Sequence, residues 1–379
     1  MLQSIRDGSI FGPWHGNLVN YYLGDVIEDG QIRYEEGLKA VSGYYELQRI
    51  LKGLPGLQRS YPDAVKKLEA VADQLVTVVD EKRHLIRVHG IDIQIGGNPD
   101  VEEMLAIGEG IRRHDPWLVR EIFSDRPGKK KTRIYFGPID QWNKVGREIK
   151  DNFSITDLEN FYGLFEDHED QSLIFIRSYP FYKFQKISAE MIAHTTEHEM
   201  GHAIDYYVAN RYEVENGPSR DGSVSVFSID PICFQNLEFA YERELVQVYA
   251  PERLGEYERA FDISDTEVLR EIIGAAKERA KEQDHGGKID EPTLLRFTER
   301  QLVPHAFTTE REFFAGVAIL YNHPEGRKIL RCHMPVYYRF FSILERFSPR
   351  DIENSRLCID MWKALSDPAY NRECSERPR

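Results

Sequence analysis

Residues 171–216 constrain the fold more than any other part of this chain. "QSLIFIRSYP" (171–180) is rich in β-branched and aromatic residues and reads as a strand, closed by Pro180 in the manner of a sheet edge. "SAEMIAHTTEHEMGHAIDYYVANRY" (188–212) follows, with Ser188 as an N-cap and no proline before Pro218, and predicts a long helix. Within it, His198, Glu199 and His202 form H-E-x-x-H, and the strand-then-helix context is what that motif requires. Residues four apart on a helix share one face, about 6 Å apart along the axis. His198 and His202 can therefore aim imidazole nitrogens at one metal ion, for which tetrahedral zinc, one per chain, is the natural occupant. Glu199 lies beside them, placed to act as general base on a water held there rather than as a ligand. His194, one turn earlier, is expected to be a core or supporting histidine and not a ligand. Asp205, one turn after His202, can accept a hydrogen bond that fixes a histidine tautomer; otherwise it is an ordinary carboxylate on the helix surface.

Two histidines do not make a catalytic site, and the third protein ligand has to come from elsewhere. The motif's common extension would place glycine at 205 and histidine or aspartate at 208, where the chain has Asp205 and Val208. A glutamate nineteen residues after His202 would fall at Asp221. "NLEFAYERE" (236–244) offers Glu238 and Glu242 on one helix face, and "HAFTTEREFFAGVAILYNHPE" (305–325) offers Glu312 in the first turn of a helix. Thr309-x-x-Glu312 is also a capping box, a complete explanation of that glutamate without a metal. On the residues alone the alternatives stay open.

The rest of the chain is read by periodicity. Residues 1–84 carry apolar residues at helical spacing and are expected to form an N-terminal helical region. Alternation in "LIRVHGIDIQIGG" predicts paired strands. A helix follows, broken at His114-Asp115-Pro116, and then a strand, "TRIYFGPI" (132–139). "DPICFQNLEFAYERELVQVYAPERLGEYERAF", capped by Asp230 with Pro231 at its first position, and "SDTEVLREIIGAAKERAKEQ" read as helices. The expected class is α+β, with a main domain over 85–379.

Here "HEMGHAIDYY" and "TTEREFFAGVAILYNHPE" together resemble the gluzincin metallopeptidases grouped around the anthrax lethal factor catalytic domain, with the Pro-Pro endopeptidases and the Mlc titration factor family. The match covers two short blocks, in order, in about a tenth of the chain. It implies a zincin-like core, a small mixed sheet whose edge strand runs over the motif helix, followed by a mainly helical half. It further implies that His198, His202 and Glu312 bind zinc and that Glu199 is general base, and it matches Asp205 to the group's aspartate. Two positions depart from the pattern. The tyrosine expected seven residues before the glutamate ligand is His305, whose ring can also donate to an oxyanion. Position 316 is glycine where the group often has an acidic residue. The stretch from about 215 to 300 is longer than that core needs and is expected to be a helical insertion.

The activity expected is hydrolysis of peptide bonds in a selective protein or peptide substrate. Alternatives are a zinc-binding scaffold without catalysis and an interaction protein with structural histidines. A net charge of −14 argues against nucleic acid or anionic membranes as partners. "GKKKTR" (128–133), the one basic cluster, is expected to be a solvated loop. Four widely spaced cysteines read as free thiols, and with no signal-peptide pattern the expected compartment is the cytoplasm.

Overall fold

The computed structural model describes residues 76–124, 131–138, 162–167, 171–178, 187–216, 235–284 and 301–346. Most of the expected N-terminal helical region, and the cap at Asp230, lie outside them. The chain divides into two compact units, Met1–Met200 and Gly201–Arg379, with the division inside one long helix. Among the described residues, no helix is long and apolar enough to cross a membrane.

The first unit is built on a six-stranded mixed sheet of order β1-β2-β3-β4-β6-β5. β1 (Thr77–Asp80), β2 (Leu85–Val88) and β3 (Ile91–Gly97) are antiparallel neighbours. β1 corrects the helical expectation for residues 77–80, because "TVVD" pairs with β2 instead of continuing the helical spacing before it. The β2–β3 turn is His89-Gly90, both at positive φ (50° and 76°), a conformation that suits a two-residue hairpin. α1 (Val101–Arg112) starts with a capping box between Asp100 and Glu103, and α2 (Pro116–Phe123) restarts after the break with Asp115 as N-cap and proline in its first turn. The chain then enters β4 (Lys131–Gly137), parallel to β3. The second half of the basic cluster therefore opens a strand, with Thr132 buried, rather than lying wholly in a loop.

β6 (Gln171–Arg177) pairs with β4 on one side and β5 (Gly163–Asp167) on the other. It is an inner strand, and residues 172–178 are all buried, as for a strand covered on both faces. The expected edge position is thus corrected: Pro180 follows the strand, and the edge is β5, which the sequence did not disclose.

α3 (Ala189–Asn216) carries the motif. Ser188 caps it, its hydroxyl accepting from the Met191 N–H at 3.2 Å. α1 lies directly against its first half: a Cβ on Gly110 would meet the Ala193 carbonyl oxygen at 2.4 Å, so only glycine permits that approach. Arg113 then bonds Glu197 at 2.7 Å, with Glu197 fully buried, fixing α3 by a charged contact that its own face could not supply.

The second unit is helical. α4 (Gln235–Tyr249), α5 (Leu254–Asp262) and α6 (Thr266–Asp284) fall in the segment expected as an insertion, the first predicted helix being split by a 3-10 turn at Pro251–Arg253. A 3-10 turn at Pro304–Phe307 leads to α7 (Glu310–Asn322), α8 (Pro324–His333) and α9 (Pro335–Arg346). α4 shares one aromatic core with α7 and α9: Phe313 has Tyr241, Phe307 and Tyr337 ring centroids at 5.3, 5.1 and 5.2 Å. The buried hydroxyls are bonded, Tyr241 to the Phe307 carbonyl and Tyr337 to that of Leu237. α4 is thus part of the packing that holds α7.

Candidate metal centre

α3 presents His198 and His202 one turn apart, both partly exposed, and α7 presents Glu312 from its first turn. One ligand atom from each of His198, His202 and Glu312 lies within 4.8 Å of the others, a group that could hold a metal ion. The donors are two imidazole nitrogens and a carboxylate oxygen, the three-ligand set that leaves a position open on a catalytic metal.

The spacing of the two helices is set by two small residues. A Cβ added to Gly201 would lie 2.8 Å from the Ala315 Cα and 3.1 Å from its Cβ, so α3 and α7 meet nearly backbone to backbone. Gly201 precedes His202 by one position, and Ala315 lies one turn after Glu312. Contact at that pair brings Glu312 Oε2 to 3.4 Å from His202 Nε2.

The competing capping explanation of Glu312 is half fulfilled. The Thr309 hydroxyl accepts from the Glu312 N–H at 3.1 Å, while the Glu312 carboxylate turns to His202 and to His305, whose Nε2 is 3.2 Å from Oε2. The cap fixes the backbone and leaves the side chain for the site.

His305 sits in the 3-10 turn, its side chain 42% exposed, and contacts the metal group through Glu312 without belonging to it. Its Nδ1 is 3.3 Å from Asp284 Oδ2, on the last described residue of α6. Hydrogen bonds to Asp284 and then Glu312 push the imidazole up to about 10 in the absence of a cation. Asp284 escaped the sequence reading: it lies 21 residues from His305 in a helix with no motif, and only the fold brings it there.

Glu199 is 4% exposed, on the α3 turn that carries His198. Edge strand β5 passes over it so closely that a Cβ on Gly163 would lie 2.6 Å from Glu199 Oε1. Among the remaining candidates, His194 is exposed and outside the metal group, which corrects its expected core position. Asp205 is 1% exposed and therefore no surface carboxylate. It lies near enough to Tyr337 to help raise that phenol's pKa, although burial is the larger cause.

Glu238 and Glu242 are not in the metal group. They lie near Lys277 and Glu310, with Glu242 bonded by the Tyr257 hydroxyl at 3.2 Å and pushed up to about 7 by burial and then by Glu238. Gly316 is buried on α7, where a Cβ would meet Ala306 at 3.2 Å and Leu302 at 3.3 Å, so it serves packing against the 3-10 turn.

Comparison of the chain with protein-family models, curated proteins and solved structures gives no match. What the centre does is therefore argued from its residues.

Proposed function

We propose that this protein is a zinc-dependent endopeptidase with a zincin-like core, of the gluzincin kind that its two motif blocks resemble. The observation that carries this reading is the grouping of His198, His202 and Glu312 within 4.8 Å. A buried glutamate adjoins the group in sequence, under a sheet edge. Two imidazoles and one carboxylate suit zinc better than calcium or magnesium, which take oxygen ligands. A zinc ion held there supplies Lewis acidity and lowers the pKa of a water to about 7.

The protein's own residues would do the rest. His198, His202 and Glu312 hold the ion. Glu199 takes the proton from the attacking water and passes it to the leaving amine. β5, the terminal strand of the sheet among the described residues, passes over Glu199, and an extended peptide could add alongside it by main-chain hydrogen bonds. The substrate would then lie along β5 rather than along the inner strand β6. His305, beside Glu312, donates to the carbonyl oxygen as charge develops. In the structure its Nε2 faces Glu312, so that role requires it to share or exchange that partner.

Glu199→Gln tests this. Cleavage of a peptide library should fall by about 10²–10⁴-fold with zinc content unchanged, the usual contribution of a positioned general base. Unchanged cleavage in the variant would refute the mechanism. Zinc bound to wild type without any cleavage would favour a metal-binding scaffold instead.

A further inference from the structure

Four side chains form a continuous line in the second unit: Asp284 Oδ2 at 3.3 Å from His305 Nδ1, His305 Nε2 at 3.2 Å from Glu312 Oε2, and Glu312 Oε2 at 3.4 Å from His202 Nε2. They come from α6, a 3-10 turn, α7 and α3. Each ring nitrogen of His305 faces a carboxylate oxygen. Turning the ring about its bond to Cβ breaks both contacts together. With His305 removed, Glu312 would lose the 3.2 Å contact that holds its carboxylate on the side facing His202.

We infer that Asp284 is a positioning residue for the metal centre: it locks the His305 ring so that the ring holds Glu312, the third ligand, in its binding rotamer. The inference rests on the proposed zinc site and adds a residue 28 positions before the ligand it serves. Outer partners of this type set ligand direction, and their loss typically costs about 10–100-fold in metal affinity or activity. Pre-orientation of Glu312 also accounts for the carboxylate meeting two imidazoles rather than returning to the Thr309 amide, as a full capping box would have it do.

The test is zinc affinity of the full chain, measured by competition with a chromophoric chelator and needing no substrate. Asp284→Ala and His305→Ala should each weaken zinc binding by about 10-fold or more, and the double variant should bind no more weakly than the weaker single one, since the two act as one unit. Asp284→Asn, whose amide oxygen can still accept from Nδ1, should recover most of the affinity. Far-UV circular dichroism of the metal-free proteins checks folding. If Asp284→Ala does not fold, His305→Ala carries the test alone.

Wild-type zinc affinity in either alanine variant, or losses that multiply in the double variant, would overturn the inference. His198→Ala is the control that separates the two claims. If it abolishes binding while Asp284→Ala does not weaken it, the zinc site stands and only the positioning role falls. If wild type binds no zinc, both fall.

Discussion

Gly201→Ala adds one methyl group where the structure has least room for it. The new Cβ would sit 2.8 Å from the Ala315 Cα, about 0.7 Å short of the roughly 3.5 Å at which carbon atoms rest in contact. The opposing atom is backbone, not the end of a flexible side chain, so helices α3 and α7 must move apart. Overpacking of this kind costs about 1–3 kcal/mol. Alanine's better helix propensity returns about 1 kcal/mol, leaving a net loss of roughly 0–2 kcal/mol.

The metal centre should suffer more than the fold. His202 and Glu312 ride on the two helices being separated, and metal–ligand distances tolerate only about 0.2 Å. Zinc affinity should therefore drop by at least the roughly 10–100-fold seen when an outer partner is disturbed. Chelator competition gives the affinity, and chemical denaturation of the metal-free protein gives the stability. Wild-type zinc affinity in a folded Gly201→Ala protein would refute the idea that this backbone contact sets the ligand spacing. So would a stability loss large enough to account for all of the lost binding.

The other side of the site gives a separate expectation. Gly163→Ala would place a Cβ 2.6 Å from Glu199 Oε1 and from Thr195 Cγ2, so the carboxylate must turn away while the ligands stay. Cleavage should fall by about 10²-fold with zinc content intact, which parallel assays of peptide hydrolysis and bound metal will show. Stability should also depend on pH through His114, which is 3% exposed, has its Nε2 3.1 Å from the Glu197 carbonyl oxygen, and is held down to about 4, mainly by burial. The unfolded chain binds that proton below about pH 6.5 and the native protein only near pH 4, so this group's contribution falls as pH drops through that window, by about 1.4 kcal/mol per pH unit. Denaturation midpoints at pH 7 and pH 5 check it, and His114→Phe should flatten the difference if it folds.

Local features were legible in the sequence, and features set by distant partners were not. Ser188, the H-E-x-x-H spacing, the His114-Asp115-Pro116 break and the β2–β3 hairpin are decided within a few residues, and all appear where expected. β1 was hidden because "TVVD" follows a run of helical spacing, and only pairing with β2 makes it a strand. β5 was hidden because "GLFED" is short and its charged end sits where an edge strand tolerates charge. The inner place of β6 depends on strand order, which no local pattern carries.

The centre divides in the same way. His198 and His202 follow from helical geometry. Glu312 needed the family resemblance, because its capping pattern alone explained it. Asp284 and the glycine contacts at 163 and 201 were invisible, since their meaning lies in what the fold sets against them.

The most direct measurement is zinc per chain in the purified protein, wild type beside Glu312→Ala. Near one zinc in wild type and a sharp fall in the variant is the result predicted by a centre of His198, His202 and Glu312. Equal zinc in both proteins would move the third ligand elsewhere, and no zinc in either, even after zinc is supplied, would make the row of histidines structural.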